Sequence, residues 1–145
     1  MPMMRMKRRL GWMVVMLCVG FYNAGGQCTS RTQVERVDKR TYEQLQHFVN
    51  EGHEPWRLDS QAVAATQILA LEKVPKGQWD PYLLPLTVVQ ESQTQCVYRY
   101  ENPSRPGLSY QITVKRFDWL LPFAEKWEWM VWAPLEVTVT DCPQR

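Results

Sequence analysis

The first half of the chain carries apolar residues at helical spacing. Between residues 34 and 49 they recur at intervals of about three, four and seven, which is the buried stripe of an amphipathic helix. A second segment, rich in Ala and Leu, runs from a capping residue at Asp59 or Ser60 to about residue 73, and Pro75 ends it. The pattern therefore predicts two successive helices.

After Pro81 the apolar residues alternate with polar ones, which is the period of half-buried strands. The predicted strands lie at residues 84–90, 95–100 and 110–115, followed by one bent strand or two strands at residues 127–132 and 135–140. A cluster of Asn, Pro, Ser and Gly at residues 102–107 predicts the turn between the second and third strands.

Two helices followed by four or five strands predict an α+β domain. We expect two N-terminal helices packed on one face of a four- to five-stranded antiparallel meander sheet. As an analogy of architecture alone, this outline is similar to the small exported cystatin-like or NTF2-like domains, in which a sheet curls around helices. A fold of this kind does not by itself determine function.

The N-terminal 26 residues have the three-part pattern of a secretory signal peptide. A basic stretch at residues 5–9 precedes an apolar run of about 12 residues, and the small residues Ala24 and Gly26 predict cleavage before Gln27. The apolar run is shorter than the roughly 20 residues that cross a membrane. The alternatives are an uncleaved anchor or a buried first helix. We place a flexible tether at residues 27–33 and one folded domain at residues 34–145.

Export changes the net charge of the protein. The full chain has 17 Lys and Arg against 15 Asp and Glu, a net charge of +2. The predicted signal peptide contains four of the basic residues and none of the acidic ones, which leaves 13 basic and 15 acidic residues and a net charge of −2. The remaining charges alternate in sign and form no block typical of nucleic-acid surfaces. We therefore expect no nucleic-acid partner.

The cysteines predict a disulfide. Cys18 lies in the predicted signal peptide, and three cysteines remain in a compartment that favours disulfides. Cys96 lies in one predicted strand and Cys142 follows another. We therefore expect a Cys96–Cys142 disulfide that joins the last strand to an earlier one.

Cys28 is left over, and two interpretations stay open. It is either the lipid-bearing first residue of a bacterial lipoprotein or a thiol near a flexible terminus, free or bonded to another molecule. Gln27 departs from the small residue that a lipoprotein signal has before its cysteine. The cysteine spacing matches no zinc-ligand pattern.

Glu43, His47 and Glu51 form a weak metal-site candidate, because they repeat at one-turn spacing on the first helix. They lie opposite the predicted apolar stripe of Leu45 and Phe48, so we interpret them as a solvated helix face and expect no metal. The chain has no phosphate loop, dinucleotide fingerprint or GxSxG elbow. We expect no cofactor, and the sequence identifies no catalytic residue.

Aromatic and apolar residues are concentrated near the C-terminal end. They form either the core of a small domain or a surface that contacts a partner, since large side chains serve both purposes. The candidate partner-contact residues are Trp119, Leu120, Leu121, Phe123, Trp127, Trp129 and Trp132.

The sequence thus predicts an exported bacterial envelope protein with a non-enzymatic binding or structural role. Its location is extracytoplasmic, secreted or anchored to the outer face of the cytoplasmic membrane. An envelope protein, a glycan or a membrane surface is the expected partner. The alternatives are a minor envelope enzyme that uses carboxylates and a secreted inhibitor that acts through the apolar loop at residues 119–123.

Overall fold

The computed structural model describes residues 26–144. Within this range the strands and helices follow in the order β1 (Thr29–Val34), α1 (Lys39–Asn50), α2 (Ser60–Leu71), β2 (Thr87–Glu91), β3 (Gln95–Glu101), β4 (Leu108–Lys115), α3 (Leu121–Ala124) and β5 (Ala133–Asp141). Apart from Gly26, the predicted signal peptide lies outside the described residues.

The five strands form one antiparallel sheet in the order β1-β5-β4-β3-β2. The predicted meander is confirmed for β2 to β5, because each of these strands pairs with the next one along the chain. Alternate residues of β4, namely Tyr110, Ile112 and Val114, are buried as the pattern predicts. The domain is therefore a mixed α+β structure.

Strand β1 corrects the prediction of a flexible tether at residues 27–33. It pairs with β5 from Thr29–Asp141 to Val34–Glu136, so one strand precedes both helices. All six residues of β1 are exposed, which leaves the strand without the alternating apolar face that sequence patterns detect. Its position depends on backbone hydrogen bonds with β5.

Helix α1 begins five residues later than predicted. Asp38 caps the helix, since its carboxylate accepts a hydrogen bond from the Thr41 N–H at 2.9 Å. Bonds from Thr41 also hold the pKa of Asp38 below its usual value. Val34, which the pattern places on the buried stripe of this helix, lies in β1 and is exposed.

Helix α2 lies where the pattern predicts it, with Asp59 as the cap. It packs on the sheet through Val63, Ala64 and Ile68, which share the main core with buried residues of β3, β4 and β5. Helix α1 packs mainly on α3 and on the 3₁₀ turn Asp118–Leu120. One helix, rather than the predicted two, therefore provides most of the cover on the sheet.

The predicted strand at residues 127–132 is wrong. Trp127–Trp129 forms a 3₁₀ turn, and β5 begins only at Ala133. The backbone between them bonds to helix and loop partners instead of a strand: the Trp132 N–H donates to the Arg57 carbonyl at 3.0 Å. Aromatic and β-branched residues favour strands, but here the available backbone partners lie elsewhere.

The predicted Cys96–Cys142 disulfide is also wrong. Cys142 bonds to Cys28, with 4.1 Å between their Cα atoms, and Cys96 is a buried free thiol. Cys96 lies opposite Val114 of β4, whereas Cys142 follows the residue opposite Leu108. Six residues of strand separate those positions by about 20 Å, far beyond the roughly 7 Å that a disulfide can bridge.

The Cys28–Cys142 bond has two consequences. It occupies the sulfur of Cys28, and in this structure that leaves no room for either interpretation from the sequence, a lipid thioether or a thiol that is free or bonded to another molecule. A disulfide also indicates an oxidising environment outside the cytoplasm.

Among residues 26–144, each helix is too short or too polar to cross a membrane.

We expect the double variant Cys28→Ser/Cys142→Ser to unfold more easily. The bond closes a loop with a sequence separation of 114 residues, and removing such a bond costs about 2–5 kcal/mol of unfolding free energy. Urea titration measures the loss. A reductant should lower the unfolding free energy of the wild type to that of the double variant, and it should leave the unfolding free energy of the variant unchanged. A non-reduced peptide map that links Cys96 to either partner would contradict the structure.

We expect the folded protein to lose stability in alkali because of the tyrosines between α2 and the sheet. Burial, mainly, raises the pKa of Tyr98 to about 12, and burial together with the Glu72 carboxylate raises the pKa of Tyr110 to about 12. In the unfolded chain these hydroxyls ionise near pH 10. Between pH 10 and pH 12 the unfolded state therefore loses protons that the folded state keeps, and the unfolding free energy falls as the pH rises. Unfolding free energies measured across this interval should fall, and less steeply for Tyr98→Phe. Equal slopes in both proteins would contradict this assignment.

Candidate binding cleft at the aromatic segment

The residues from Phe117 to Trp132, called here the aromatic segment, divide between core and surface. Leu120 and Trp132 are buried, and Trp129 is 47% exposed. The remaining predicted contact residues are half-buried, namely Trp119, Leu121, Phe123 and Trp127. Most of the predicted contact surface is therefore partly or wholly core, and Trp129 is the member that faces solvent.

The aromatic segment builds a second hydrophobic core with α1. Its buried members are Val49, Leu120, Ala124, Met130 and Val131. Half-buried residues pack around this centre, among them Tyr42 and Leu45 of α1 and Leu58 of the Pro55–Leu58 turn. This second core gives the segment a defined shape without strand pairing.

Gln46 of α1 is fully buried and bonds to the backbone of the aromatic segment. Its Oε1 accepts from the Val131 N–H at 2.9 Å, and its Nε2 donates to the Trp129 carbonyl at 2.6 Å. The same Nε2 donates to the Asn50 Oδ1 at 3.0 Å. One side-chain amide thus satisfies backbone groups that a strand would otherwise pair.

Asn50, one turn further along α1, bonds to an earlier part of the segment. Its Nδ2 donates to the Phe123 carbonyl at 2.8 Å. Together Gln46 and Asn50 hold the chain between residues 123 and 131 against the helix. The position of Trp129 follows from these bonds.

A cleft of about 390 Å³ opens beside Trp129. It is lined by Val49, Asn50, Leu58, Ala124, Glu125 and Trp129. This volume lies within the range of small-molecule sites, which are mostly apolar with a few polar groups. The indole is thus a wall of a concave site.

Glu125 provides the charge at this cleft. It has a positive φ of 68°, a conformation that costs energy in a non-glycine residue and often occurs at functional sites. Its carboxylate forms no ion pair with another residue of the described range. Neighbouring Lys126 places its Nζ 4.7 Å from the Trp129 ring. The rim therefore combines an aromatic ring, an unpaired carboxylate and an ammonium group.

Basic side chains cover aromatic rings around the segment. Such contacts occur at roughly one per 70–80 residues in proteins, and residues 26–144 contain more than this frequency predicts. The pairs are Lys39–Trp119, Arg57–Trp56, Lys115–Phe117, Arg116–Trp132 and Lys126–Trp129. Arg116 lies 4.3 Å from the Trp132 ring centre, which helps to explain why this tryptophan is buried.

Glu43, His47 and Glu51 do not form a metal centre in the structure. No group of three or more His, Cys, Asp or Glu side chains able to hold a metal occurs between residues 26 and 144. The His47 ring instead meets the Phe123 ring edge-on, with 5.5 Å between centroids. This helix face therefore contacts the aromatic segment as well as solvent.

The sequence pattern does not mark Gln46, because a polar residue in a helix normally lies on the solvated face. Its spacing contained a signal, since it lies four residues after Tyr42 and three before Val49, on the stripe that the structure buries. Phe48, which the pattern places on the buried stripe, is exposed beside that stripe. Glu125 and Asn50 carried no signal, because the cleft forms only when α1 and the segment meet.

Comparison of the chain with family models, with curated proteins and with solved structures gave no match. The likeness to cystatin-like or NTF2-like domains therefore stays an analogy of architecture.

We expect Gln46→Leu to destabilise the protein by roughly 2–6 kcal/mol, because it leaves the Val131 N–H and the Trp129 carbonyl without their partner, at about 1–3 kcal/mol for each group. Gln44→Leu, on the exposed face of the same helix, is the matched control and should have little effect. Urea denaturation measures both. Equal stability of the two variants would show that the amide does not hold the segment.

Proposed function

We propose that this protein is an exported binding domain of the bacterial cell envelope, and that the cleft beside Trp129 binds a glycan. The observation that supports the site is the exposed indole of Trp129 in a segment whose neighbours Met130, Val131 and Trp132 are buried. A large aromatic ring that is half exposed at a concave surface is available to a ligand, and aromatic residues dominate the energy of binding sites.

Export is supported by two independent features. The N-terminal pattern predicts a signal peptide cleaved before Gln27, and the Cys28–Cys142 disulfide needs an oxidising compartment. The protein then acts either as a secreted protein or at the outer face of the cytoplasmic membrane.

A glycan suits the cleft better than a membrane surface does. The flat C–H face of a sugar ring can stack on the Trp129 indole, and its hydroxyls can donate hydrogen bonds to the Glu125 carboxylate. An anionic lipid surface would meet that same carboxylate and a mature chain of net charge −2. The cleft is also concave and of small-ligand size, whereas a membrane-binding helix buries a whole apolar face in the bilayer interface.

The two alternatives from the sequence have less support. An enzyme using paired carboxylates would place two acidic groups together, and Glu125 is the acidic residue among those that line the cleft. An inhibitor loop at residues 119–123 would project from the surface. Leu120 of that loop is instead fully buried, and the Phe123 carbonyl is bonded to Asn50.

We expect Trp129→Ala to reduce glycan affinity by at least tenfold, because central aromatic residues dominate binding energy. Glu125→Gln should reduce it less, since the amide keeps one acceptor. The measurement is binding to an array of bacterial envelope polysaccharides, followed by titration calorimetry on the glycans that bind.

Tyr82→Ala is the control for this experiment, because Tyr82 is exposed and does not line the cleft. Its affinity should equal that of the wild type. The proposal is wrong if no envelope glycan binds, if Trp129→Ala binds as tightly as the wild type, or if the protein binds anionic vesicles instead.

A further inference from the structure

A groove of about 350 Å³ lies along β1, on the face of the sheet that carries α2. The register places Arg31 and Gln33 of β1 directly opposite Val139 and Val137 of β5. Directly opposite residues of an antiparallel pair point to the same face of the sheet, and Val137 belongs to the main core under α2. Arg31 and Gln33 therefore line the groove from the α2 side of β1.

The floor of this groove is apolar. Val137 is buried, whereas Val139 and Leu71, at the end of α2, pack against the main core and stay half-buried. Helix α2 packs on β3, β4 and β5, and β1 extends the sheet by one strand beyond β5. Apolar surface at the margin of the main core is therefore open to a ligand.

Arg31 provides an uncompensated charge beside this floor. Its side chain is exposed and forms no ion pair with another residue of the described range. Asp141 is the acidic residue among those that line the groove, and its Oδ2 lies 2.6 Å from the Nη2 of Arg105 instead. The guanidinium of Arg31 is therefore available to an anion.

A binding groove would also account for the way in which β1 is attached. All six residues of the strand are exposed, so β1 adds little hydrophobic burial to the core. It is nevertheless held by backbone bonds to β5 and by the Cys28–Cys142 disulfide. Side chains that contact a ligand have to keep their positions, and a covalently fixed strand meets this requirement for the wall of a groove.

We propose that this groove binds a short fatty acid, with its alkyl chain on the floor formed by Leu71, Val137 and Val139 and its carboxylate on Arg31. This inference is independent of glycan binding at Trp129 and concerns a different surface.

Other ligand classes suit the groove less well. The described residues that line it include no aromatic ring on which a sugar could stack. The groove lies on a face of the sheet, whereas the backbone groups that pair strands point along its plane. An extended peptide in the groove would therefore gain no backbone pairing.

The charge of the groove favours a carboxylate over a phosphate. One guanidinium presents two parallel N–H groups, which match the two oxygens and the single charge of a carboxylate. Arg31 is the basic residue among those that line the groove, and the carboxylate of Asp141 lines it too. A head group with two negative charges would therefore be only partly compensated.

The test is titration calorimetry of the purified, oxidised protein with octanoate at up to millimolar concentration. A short chain is chosen because the groove lies at the small end of the range for ligand sites. Octanol has the same chain without the charge and should bind roughly tenfold more weakly, the loss expected for one charge-assisted contact. Butyrate, which has the charge and little chain, should show no binding.

Two arginine variants separate the groove from the charge of the whole protein. Arg31→Gln should reduce the affinity for octanoate to that for octanol. Arg36→Gln is the matched control, because Arg36 is an exposed arginine that does not line the groove, and it should bind octanoate as the wild type does.

A second measurement locates the ligand without any variant. In methyl NMR spectra of the wild type, octanoate should shift the resonances of Leu71, Val137 and Val139. The resonances of Val49 and Leu58, which line the cleft beside Trp129, should stay unchanged.

The proposal is overturned if octanoate does not bind, if octanol binds equally tightly, or if the two arginine variants have the same affinity for octanoate. Methyl shifts confined to Val49 and Leu58 would place the chain in the other cleft and would also overturn it. Tighter binding of octyl phosphate than of octanoate would show that the head group is not a carboxylate, which equally contradicts the proposal.

Discussion

The buried amide of Gln46 is the interaction on which the unusual part of this structure depends. A segment rich in tryptophan has a preference for strands, and its backbone groups must find partners wherever it lies. Gln46 supplies both a donor and an acceptor from α1, and Asn50 supplies a second donor one turn later. The 3₁₀ turn Trp127–Trp129, the second core and the orientation of the Trp129 indole all follow from that replacement of strand pairing by side-chain bonds.

The inner strands and the edge strand β1 of the sheet are held in place by different interactions. Its inner face is held by α2 and by buried side chains of β3, β4 and β5, whereas β1 contributes almost no apolar burial. Backbone hydrogen bonds to β5 and the Cys28–Cys142 disulfide hold β1 in place. Hydrophobic burial therefore stabilises the strands that face the helices, and the disulfide together with backbone hydrogen bonds stabilises β1, which does not face them.

Periodicity predicted the elements that bury one face. The strands β3 and β4, the helix α2 with its Asp59 cap, and the order of the meander are all visible as alternating or helical spacing. Strand β1 is not visible in this way, because a strand exposed on both faces has no alternation. Residues 127–132 have the local preference of a strand, which does not reveal that α1 supplies the bonds. The cysteine pairing is not visible either, because the sequence does not state at which end of the sheet each cysteine lies. The cleft is a tertiary feature, and of its lining residues only Trp129 is a candidate contact residue by sequence.

The position of the disulfide has a consequence for biosynthesis. Cys28 and Cys142 lie near opposite ends of the chain, and Cys96 lies between them. On the export route proposed above, Cys28 reaches the oxidising side first and Cys96 follows it before Cys142. The first disulfide open to oxidation on that route is therefore Cys28–Cys96, which differs from the one in the structure. Correct maturation requires either that Cys96 is buried by the folding of β3 and β4 before Cys28 is oxidised, or that a thiol–disulfide exchange catalyst rearranges the bond. The burial of Cys96 in the native core then protects the final connectivity from further exchange.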